Sequence, residues 1–354
     1  MLGFERSAAR YTWTAAIVLL FLWLVYLVRS TLFVFILALL FAYLLSPLVN
    51  LLDRALPRKG TRTLALALSY LIFVGIVVLV AVEIGSRVLY QAQTLAVNFP
   101  DMIEKLEQPS PLAPAVVNSI KAQVIAGIRA EWTQRSAEVM HALPAAGLHF
   151  LSVASNLIYV VIVPVLAFFF LKDAGIIRQH ALEMLDDGPL RGMVESVIAD
   201  IHLLLAHYMR SLVLLSLATF TAYSIYFTIL QVPFGVLLAV VAMGLEFIPM
   251  IGPLTAAVII LLVTLVSGAH FWAVLIFIVA YRMFQDYFLS PHLMGQGVQL
   301  HPLLVLLGVF GGAEVAGVAG SFLSVPVLAM IRIVYVRTRR SRVSPAVGPS
   351  LLMR

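Results

Sequence analysis

Five polar or charged residues interrupt long apolar stretches in the last third of the chain, where their side chains could bind or carry a charged species. Glu246 and Glu314 each follow about a dozen apolar residues. Arg282, Gln285 and Asp286 lie together in another apolar run. A carboxylate in such surroundings is costly and usually faces protein or water, where it can carry a proton or bind a cation. We therefore predict a proton or cation site at Glu246, with Glu314 as its counterpart.

Arg282 and Asp286 are four residues apart, so a helix would place them on one face, close enough to pair. They are either a charge pair that reorganises during function or a structural salt bridge near the cytoplasmic interface. For Glu246 a site is favoured, because the prolines and glycine that follow would interrupt a helix and free backbone groups for an ion. The predicted site comprises Glu246, Pro249, Gly252, Pro253, Arg282, Gln285, Asp286 and Glu314.

The two glutamates belong to two segments, 233–267 and 301–336, that share one plan. Each has a proline, an apolar run, a glutamate, a glycine six residues later and a second apolar run. A leg of about twelve residues is ~18 Å long as a helix, short of the ~30 Å hydrocarbon core. We therefore predict two re-entrant hairpins that enter from opposite faces. The alternative is a chance similarity between two apolar stretches punctuated by glycine and proline.

Composition places these segments in a membrane protein. Of 354 residues, 62% are hydrophobic and 11% are charged, whereas soluble domains carry roughly 25% charged residues. The apolar blocks approach or reach the ~20 residues that cross a bilayer. We predict an all-α integral membrane protein, a polytopic helical bundle with six full spans at about 11–28, 31–52, 63–82, 151–171, 211–230 and 271–289.

The distribution of basic residues predicts the orientation, because short cytoplasmic loops are enriched in Lys and Arg. With the N-terminus in the cytoplasm, the basic residues after the second span, those after the fourth span and the C-terminal tail all fall inside. This explains the net charge of +6 without a nucleic-acid partner. The residues concerned are Arg54, Arg58, Lys59, Arg62, Lys172, Arg178, Arg191, Arg210, Arg337, Arg339, Arg340 and Arg342.

The predicted organisation places the polar regions between and after these spans. Prolines at 109, 111 and 114 break an amphipathic region that we expect to form a small extracytoplasmic helical cap. The parts are three N-terminal spans (1–90), the cap (91–150), a fourth span (151–171), a cytoplasmic connector (172–205), a C-terminal transport region (206–336) and a basic cytoplasmic tail (337–354).

Several kinds of chemistry are excluded or unsupported by the sequence. No phosphate-binding glycine loop, HExxH helix or nucleophile–base pair is recognisable, so neither ATP hydrolysis nor another enzymatic activity is indicated. The chain has no cysteine, which excludes disulfides and thiolate metal sites. We expect no catalytic residue, no metal and no cofactor.

Four motifs resemble the autoinducer-2 exporter family of bacterial permeases: FFFLKD at 168–173, FIPMIGP at 247–253, the run that begins QDYFLSP at 285, and AGVAGSFLSVP at 316–326. The resemblance implies a polytopic protein of the bacterial inner membrane. Members have been linked to export of the signal autoinducer-2, and others to exchange of sodium or lithium for protons. The pattern is carried here by Pro249, Gly252, Pro253, Gln285, Pro291, Gly295, Pro302, Gly312, Gly317, Gly320 and Pro326.

Two residues depart from the pattern of the family that the chain resembles. Glu246 stands where a neutral residue, commonly asparagine, is more usual, and Glu314 stands where an apolar residue is usual. The added acid favours cation or proton handling over binding of a neutral, sugar-like signal.

The sequence therefore favours a gradient-driven exporter or antiporter of a small solute or cation, working by alternating access around a site where the hairpin tips meet. A passive channel or neutral-solute permease is the alternative, and a non-transporting scaffold is a further one. The expected partners are the lipid bilayer, the small-molecule or cation substrate, and other copies of the chain in a homo-oligomer.

Overall fold

The structure, a computed structural model, describes residues 6–56, 62–107, parts of 122–134, 157–267, 270–294 and 300–343. Helices are the regular elements throughout these residues, and no strand occurs among them, which confirms the all-α fold. The helices are α1 (Arg6–Leu27), α2 (Arg29–Ala55), α3 (Arg62–Glu107), α4 (Leu157–Glu183), α5 (Pro189–Ile229), α6 (Gly235–Leu245), α7 (Ile251–Val266), α8 (Phe271–Phe284), α9 (Ser290–Met294) and α10 (Pro302–Val343).

Six helical stretches among the described residues are long and apolar enough to cross a membrane: those in α1, α2, α3 and α5, the stretch Phe271–Leu293, and α10. The prediction of a polytopic membrane protein is therefore confirmed. The predicted fourth span, 151–171, overlaps the 27-residue helix α4, and residues 151–156 lie outside the described part of the chain.

Helix α3 is longer than a bilayer crossing requires. It runs for 46 residues to Glu107, or ~69 Å at the rise of an α-helix. The first part of the predicted cap, residues 91–107, is thus continuous with the third span. Near this end, Ile103 packs with Ile125 and with Val266 of α7. The prolines predicted to break the cap lie outside the described residues.

Helix α10 is not one straight helix, because the chain reverses direction at Ala316 and Gly317. Gly317 has φ 60° and ψ −144°, a conformation that favours glycine. The reversal brings Gly312 against Gly320, where a Cβ added to Gly312 would lie 2.3 Å from the carbonyl oxygen of Gly320. The Ser321 hydroxyl also donates to the Val309 carbonyl oxygen at 3.1 Å. The second interrupted segment is therefore a helical hairpin, whose entry into a membrane from one face stays a prediction.

Two of the clusters of buried side chains hold the C-terminal region together. One joins α5 to α6, α7 and α8, and includes Phe227, Leu238, Ile260 and Val274. The other joins α2 and α5 to the limb of α10 that follows Gly317. Helix α5, with 41 residues, contributes to both clusters and is the central element of the C-terminal region. Helix α1 packs little on the rest of the chain and is exposed along nearly all of its described length.

The close crossing of the α10 limbs predicts different outcomes for two neighbouring glycines. Gly312→Ala should lower the melting temperature of the purified protein by several degrees, because the added methyl group clashes with backbone that cannot move aside. Gly311→Ala is the matched control, since a Cβ there meets no atom within 4 Å. It should leave the melting temperature unchanged or raise it slightly, because alanine favours a helix over glycine. Equal melting temperatures for the two variants would contradict the close crossing.

Candidate functional site

The first interrupted segment is a pair of short helices anchored at its start by neighbouring elements. Helix α6 has 11 residues and α7 has 16. The first residue of α6, Gly235, lies so close to α5 that an added Cβ would be 2.8 Å from the Cβ of Phe227. The backbone N–H of Leu237 donates to the side-chain oxygen of Gln91 on α3 at 2.9 Å. This bond caps an N–H group that the start of a helix leaves without a partner.

The bend between α6 and α7, residues 246–250, is tight and strained. Met250 has φ 63° and ψ −53°, and the N–H of Ile251 donates to the Pro249 carbonyl oxygen at 2.7 Å. Together these define a γ-turn of the rare, strained form. Gly252 is required after it, because a Cβ there would lie 1.8 Å from the carbonyl oxygen of Leu245. Strained backbone of this kind is concentrated at functional sites.

Glu246 stands at the start of this bend and is almost completely buried, with 8% of its surface exposed. The Gln285 amide Nε2 donates to its Oε1 at 2.5 Å. The Thr219 hydroxyl lies 3.4 Å from its Oε2, a long hydrogen bond. The Arg282 Nη1 atom lies 3.5 Å from Oε1, within ion-pair distance. Glu246 of the first hairpin thus contacts side chains of both α5 and α8.

Arg282 is held on its other side by Asp286. The Arg282 Nε donates to Asp286 Oδ2 at 3.0 Å, and Nη2 lies 3.0 Å from Oδ1. This two-point contact leaves Nη1, which is buried and has no hydrogen-bond partner among the described residues, on the side of Glu246. The predicted pairing of Arg282 with Asp286 is present, but Arg282 is shared between two carboxylates.

A π-helical turn, Gln285–Leu289, follows α8 directly. Its first residue, Gln285, is 2% exposed and faces Glu246, whereas Asp286 is half-exposed. Single π-helical turns inserted in α-helices occur frequently at functional sites. Here the turn itself supplies Gln285 and Asp286, two of the polar side chains near Glu246.

These side chains border a cavity of about 440 Å³ between α5, α6, α7 and α8. Its polar lining includes Glu246, Arg282, Gln285, Asp286 and Thr219. The remaining wall is mostly apolar or aromatic, formed by Tyr223, Ala242, Met250, Pro253, Leu254, Ala256, Ala257, Ile278, Val279, Met283 and Tyr287. The arrangement offers hydrogen-bond donors and acceptors to a small solute at one end of a mainly apolar space.

The structure brings together most of the predicted site residues. Glu246, Arg282, Gln285 and Asp286 form the polar cluster, Pro253 lines the cavity, and Pro249 and Gly252 shape the bend. Glu314 is separate: it is exposed, close to the reversal of α10, and no described contact joins it to the cluster. The two hairpins instead touch through Phe247 and Phe322, whose ring centroids are 6.0 Å apart.

Three residues at the site were not predicted from the sequence. Thr219 and Tyr223 on α5 face the cavity, and the Tyr281 hydroxyl lies 3.1 Å from the Thr219 hydroxyl. The four-residue spacing of Thr219 and Tyr223 places them on one face of a helix. This spacing was the feature of the sequence that could have indicated a shared site. Hydroxyl-bearing residues are common in apolar helices, so that signal alone does not point to a site.

The sequence profile of the AI-2E family transporter matches residues 15–340 of the chain. The chain belongs to this family. The AI-2E family consists of transport proteins and permeases, so this AI-2E family member is a membrane transporter and not an enzyme. The family resemblance seen in the four sequence motifs is thereby confirmed.

Relatives of this AI-2E family member occur in several bacteria. It is 26% identical over 298 residues to YueF of Bacillus subtilis (strain 168), named as a candidate transport protein, with 82% of this chain and 79% of YueF covered. It is 26% identical to PerM of Escherichia coli (strain K12), named as a candidate permease, with 84% of each chain covered. It is also 26% identical to the AI-2 transport protein TqsA of the same strain, over 86% of this chain and 85% of TqsA.

The positive φ of Met250 predicts a stability difference between two substitutions. Met250→Gly should keep or raise the melting temperature, because glycine adopts this backbone conformation without strain. Met250→Val should lower it by several degrees, because a β-branched residue is strongly disfavoured at positive φ. Differential scanning fluorimetry of the purified variants measures both. A valine variant as stable as the glycine variant would contradict the γ-turn.

Proposed function

We propose that this AI-2E family member is a gradient-driven exporter that exchanges protons for a small, hydroxylated solute, with Glu246 as the proton site. The observation that carries the proposal is the position of the Glu246 carboxylate. It lies at a break between two short helices, is buried, and borders a cavity large enough for a small solute. Paired, interrupted helices are where transporters commonly bind their substrates.

The partners of Glu246 fit a change of protonation. Gln285 can hydrogen-bond to either form of the carboxyl group, since its amide carries both donors and an acceptor. If Glu246 takes up a proton, Arg282 keeps its two-point contact with Asp286. Arg282 therefore still has an ionic partner after Glu246 loses its charge. An arginine without any ionic partner would be strongly unfavourable in a membrane.

The same geometry favours a hydroxylated solute over a bare cation. The Arg282 Nη1 atom lies 3.5 Å from Glu246 Oε1, where its positive charge would repel a sodium or lithium ion bound to that carboxylate. A solute hydroxyl, in contrast, can donate to the ionised carboxylate and accept from Arg282 Nη1. Such a solute competes with the proton for Glu246, and this competition is what exchange requires.

The proposal also includes the orientation and assembly predicted from the sequence. The protein would lie in the bacterial inner membrane with both termini in the cytoplasm, and the two hairpins would open the cavity alternately to either side. Exposed helices such as α1 would be covered by lipid or by another copy of the chain in a homo-oligomer.

Transport by purified protein in liposomes with an imposed pH gradient tests the proposal. An internal pH dye reports proton movement while autoinducer-2, the solute that the name of TqsA indicates, is offered first and sodium or lithium second. We expect autoinducer-2 to cause proton movement, and Glu246→Gln to reduce it at least ~10-fold because the replacement amide cannot carry the proton. Glu314→Gln is the matched control and should retain transport, since Glu314 is exposed outside the cluster.

Three other results would each contradict part of the proposal. Downhill movement of autoinducer-2 without a proton response would indicate a passive permease, and the role of Glu246 would be structural. Proton movement with sodium or lithium alone would indicate a cation antiporter. An unchanged rate in Glu246→Gln, with normal protein abundance, would place the proton site elsewhere.

A further inference from the structure

One buried face of α5 leads from the Glu246 cluster toward the opposite end of the helix. Tyr208, Leu212, Leu215, Thr219 and Tyr223 are spaced by three or four residues, so they share this face, and all of them are buried. Two serines flank the face and are also buried, Ser211 and Ser216. Between Tyr208 and Thr219 the helix rises ~16 Å. The face thus spans a substantial part of a membrane.

The Tyr208 hydroxyl is the unusual feature of this face. Tyr208 is 4% exposed and packs among apolar residues of α2, α5 and α10. Its hydroxyl oxygen is buried without a hydrogen-bond partner among the described residues. Buried hydroxyl groups almost always have a partner, because leaving them unpaired is unfavourable. A hydroxyl at this position is explained if water or a solute reaches Tyr208 and hydrogen-bonds to it when the bundle opens.

The second hairpin covers this part of α5. Leu323, Val325 and Ala329, on the limb of α10 after Gly317, belong to the same buried cluster as Tyr208 and Leu212. The tip of this limb touches the bend of the first hairpin through Phe322 and Phe247. Movement of the α10 hairpin away from α5 would therefore uncover Tyr208 and Leu212, at the end of the face farthest from the Glu246 cluster.

Polar contacts hold the same elements together beyond Tyr208. The Nε of Arg337 on α10 donates to Asp200 Oδ2 on α5 at 2.7 Å, and Nη2 of Arg337 is 2.7 Å from the same oxygen. The Tyr43 hydroxyl on α2 lies 3.0 Å from His202 Nδ1. These contacts join α10 and α2 to the N-terminal part of α5, which belongs to the connector, 172–205.

We propose that the α5 face from Tyr208 to Thr219 lines a water-filled path that links Glu246 to the side of the membrane that holds the connector. In this structure the path is closed by the second limb of α10 and secured by the Asp200–Arg337 ion pair. While the path is closed, Leu212 and Leu215 lie between the hydroxyl groups of Tyr208 and Thr219 along this face. The proposal rests on the proposed function for the role of Glu246 as the proton site. The existence of the path is a separate claim that can be tested without transport.

Because the chain has no cysteine, single cysteines can be placed without removing any native thiol. Ser211→Cys and Ser216→Cys probe the buried face with almost no change in side-chain size. Leu214→Cys and Leu217→Cys are matched controls on the opposite, exposed face of the same helix. Met184→Cys, on the connector, is a positive control because Met184 is 87% exposed. A charged, membrane-impermeant thiol reagent is applied to each side of reconstituted protein in turn.

We expect Ser211→Cys and Ser216→Cys to react from the side that labels Met184→Cys. The controls Leu214→Cys and Leu217→Cys should react from neither side, because a lipid environment excludes the charged reagent. Adding Asp200→Asn should raise the labelling rate of Ser216→Cys several-fold, because it removes the ion pair that secures α10.

Tyr208→Phe should slow proton exchange while leaving abundance and melting temperature unchanged or higher, whereas a merely structural Tyr208 would leave exchange unchanged.

The path would be overturned if neither Ser211→Cys nor Ser216→Cys reacted from either side while Met184→Cys reacted. It would also be overturned if these two cysteines reacted only from the side opposite to the one that labels Met184→Cys. Labelling unaffected by Asp200→Asn would overturn the role of the ion pair. Wild-type proton exchange by Tyr208→Phe would overturn the role of Tyr208. If the expected labelling occurs but no solute drives proton movement, the path stands and the proposed function fails, so the two failures are distinguishable.

Discussion

The C-terminal half of this protein depends on one constraint: a buried carboxylate in an apolar helical bundle must be surrounded by groups that satisfy it. Glu246 meets this constraint with a hydroxyl from α5, a guanidinium from α8 and an amide from the π-helical turn that follows α8. To receive them, α6 must end at Glu246, and the chain must turn without covering the carboxylate. The γ-turn at Met250 and the close contact of Gly252 with Leu245 perform that turn.

The same constraint relates the two hairpins to helix α5. The first hairpin supplies Glu246 and packs on the C-terminal half of α5, while the second packs on the N-terminal half. Both reversals depend on glycines where backbone meets backbone, at Gly252 in one and at Gly312 and Gly320 in the other. The two hairpins contact a common helix and touch each other through Phe247 and Phe322, and the proposed function needs them to move separately. Separate movement of two such elements is what alternating access requires.

Much of this arrangement was predictable because membrane helices leave a strong signal in sequence. Hydropathy and length predicted the helical fold, and the glycines and prolines predicted both reversals. Glu246, Arg282, Gln285 and Asp286 were recognisable because polar side chains are costly in apolar helices. The contacts among these side chains could not be predicted, apart from the i,i+4 pair of Arg282 and Asp286. The contacts of Glu246 with Arg282 and Gln285 join separate helical elements and depend on tertiary packing.

Other features lay beyond sequence reasoning for identifiable reasons. The similar plan of the two segments predicted that Glu314 would be a counterpart of Glu246, but sequence similarity does not specify which way a hairpin tip faces. The continuation of α3 through residues 91–107 was hidden by its change from an apolar to an amphipathic pattern, which helices tolerate without a break. The π-helical turn at Gln285–Leu289 was not predicted, because the sequence around it reads as one continuous apolar helix.

Under the proposed function, Glu246 carries a proton that a bound solute displaces. Infrared difference spectroscopy of the reconstituted protein measures this directly, because a protonated carboxyl group has a C=O stretching band that a carboxylate lacks. We predict a carboxyl band at mildly acidic pH that decreases when autoinducer-2 is added and that is absent from Glu246→Gln. A band that is unaffected by the solute, or one that persists in Glu246→Gln, would contradict the claim.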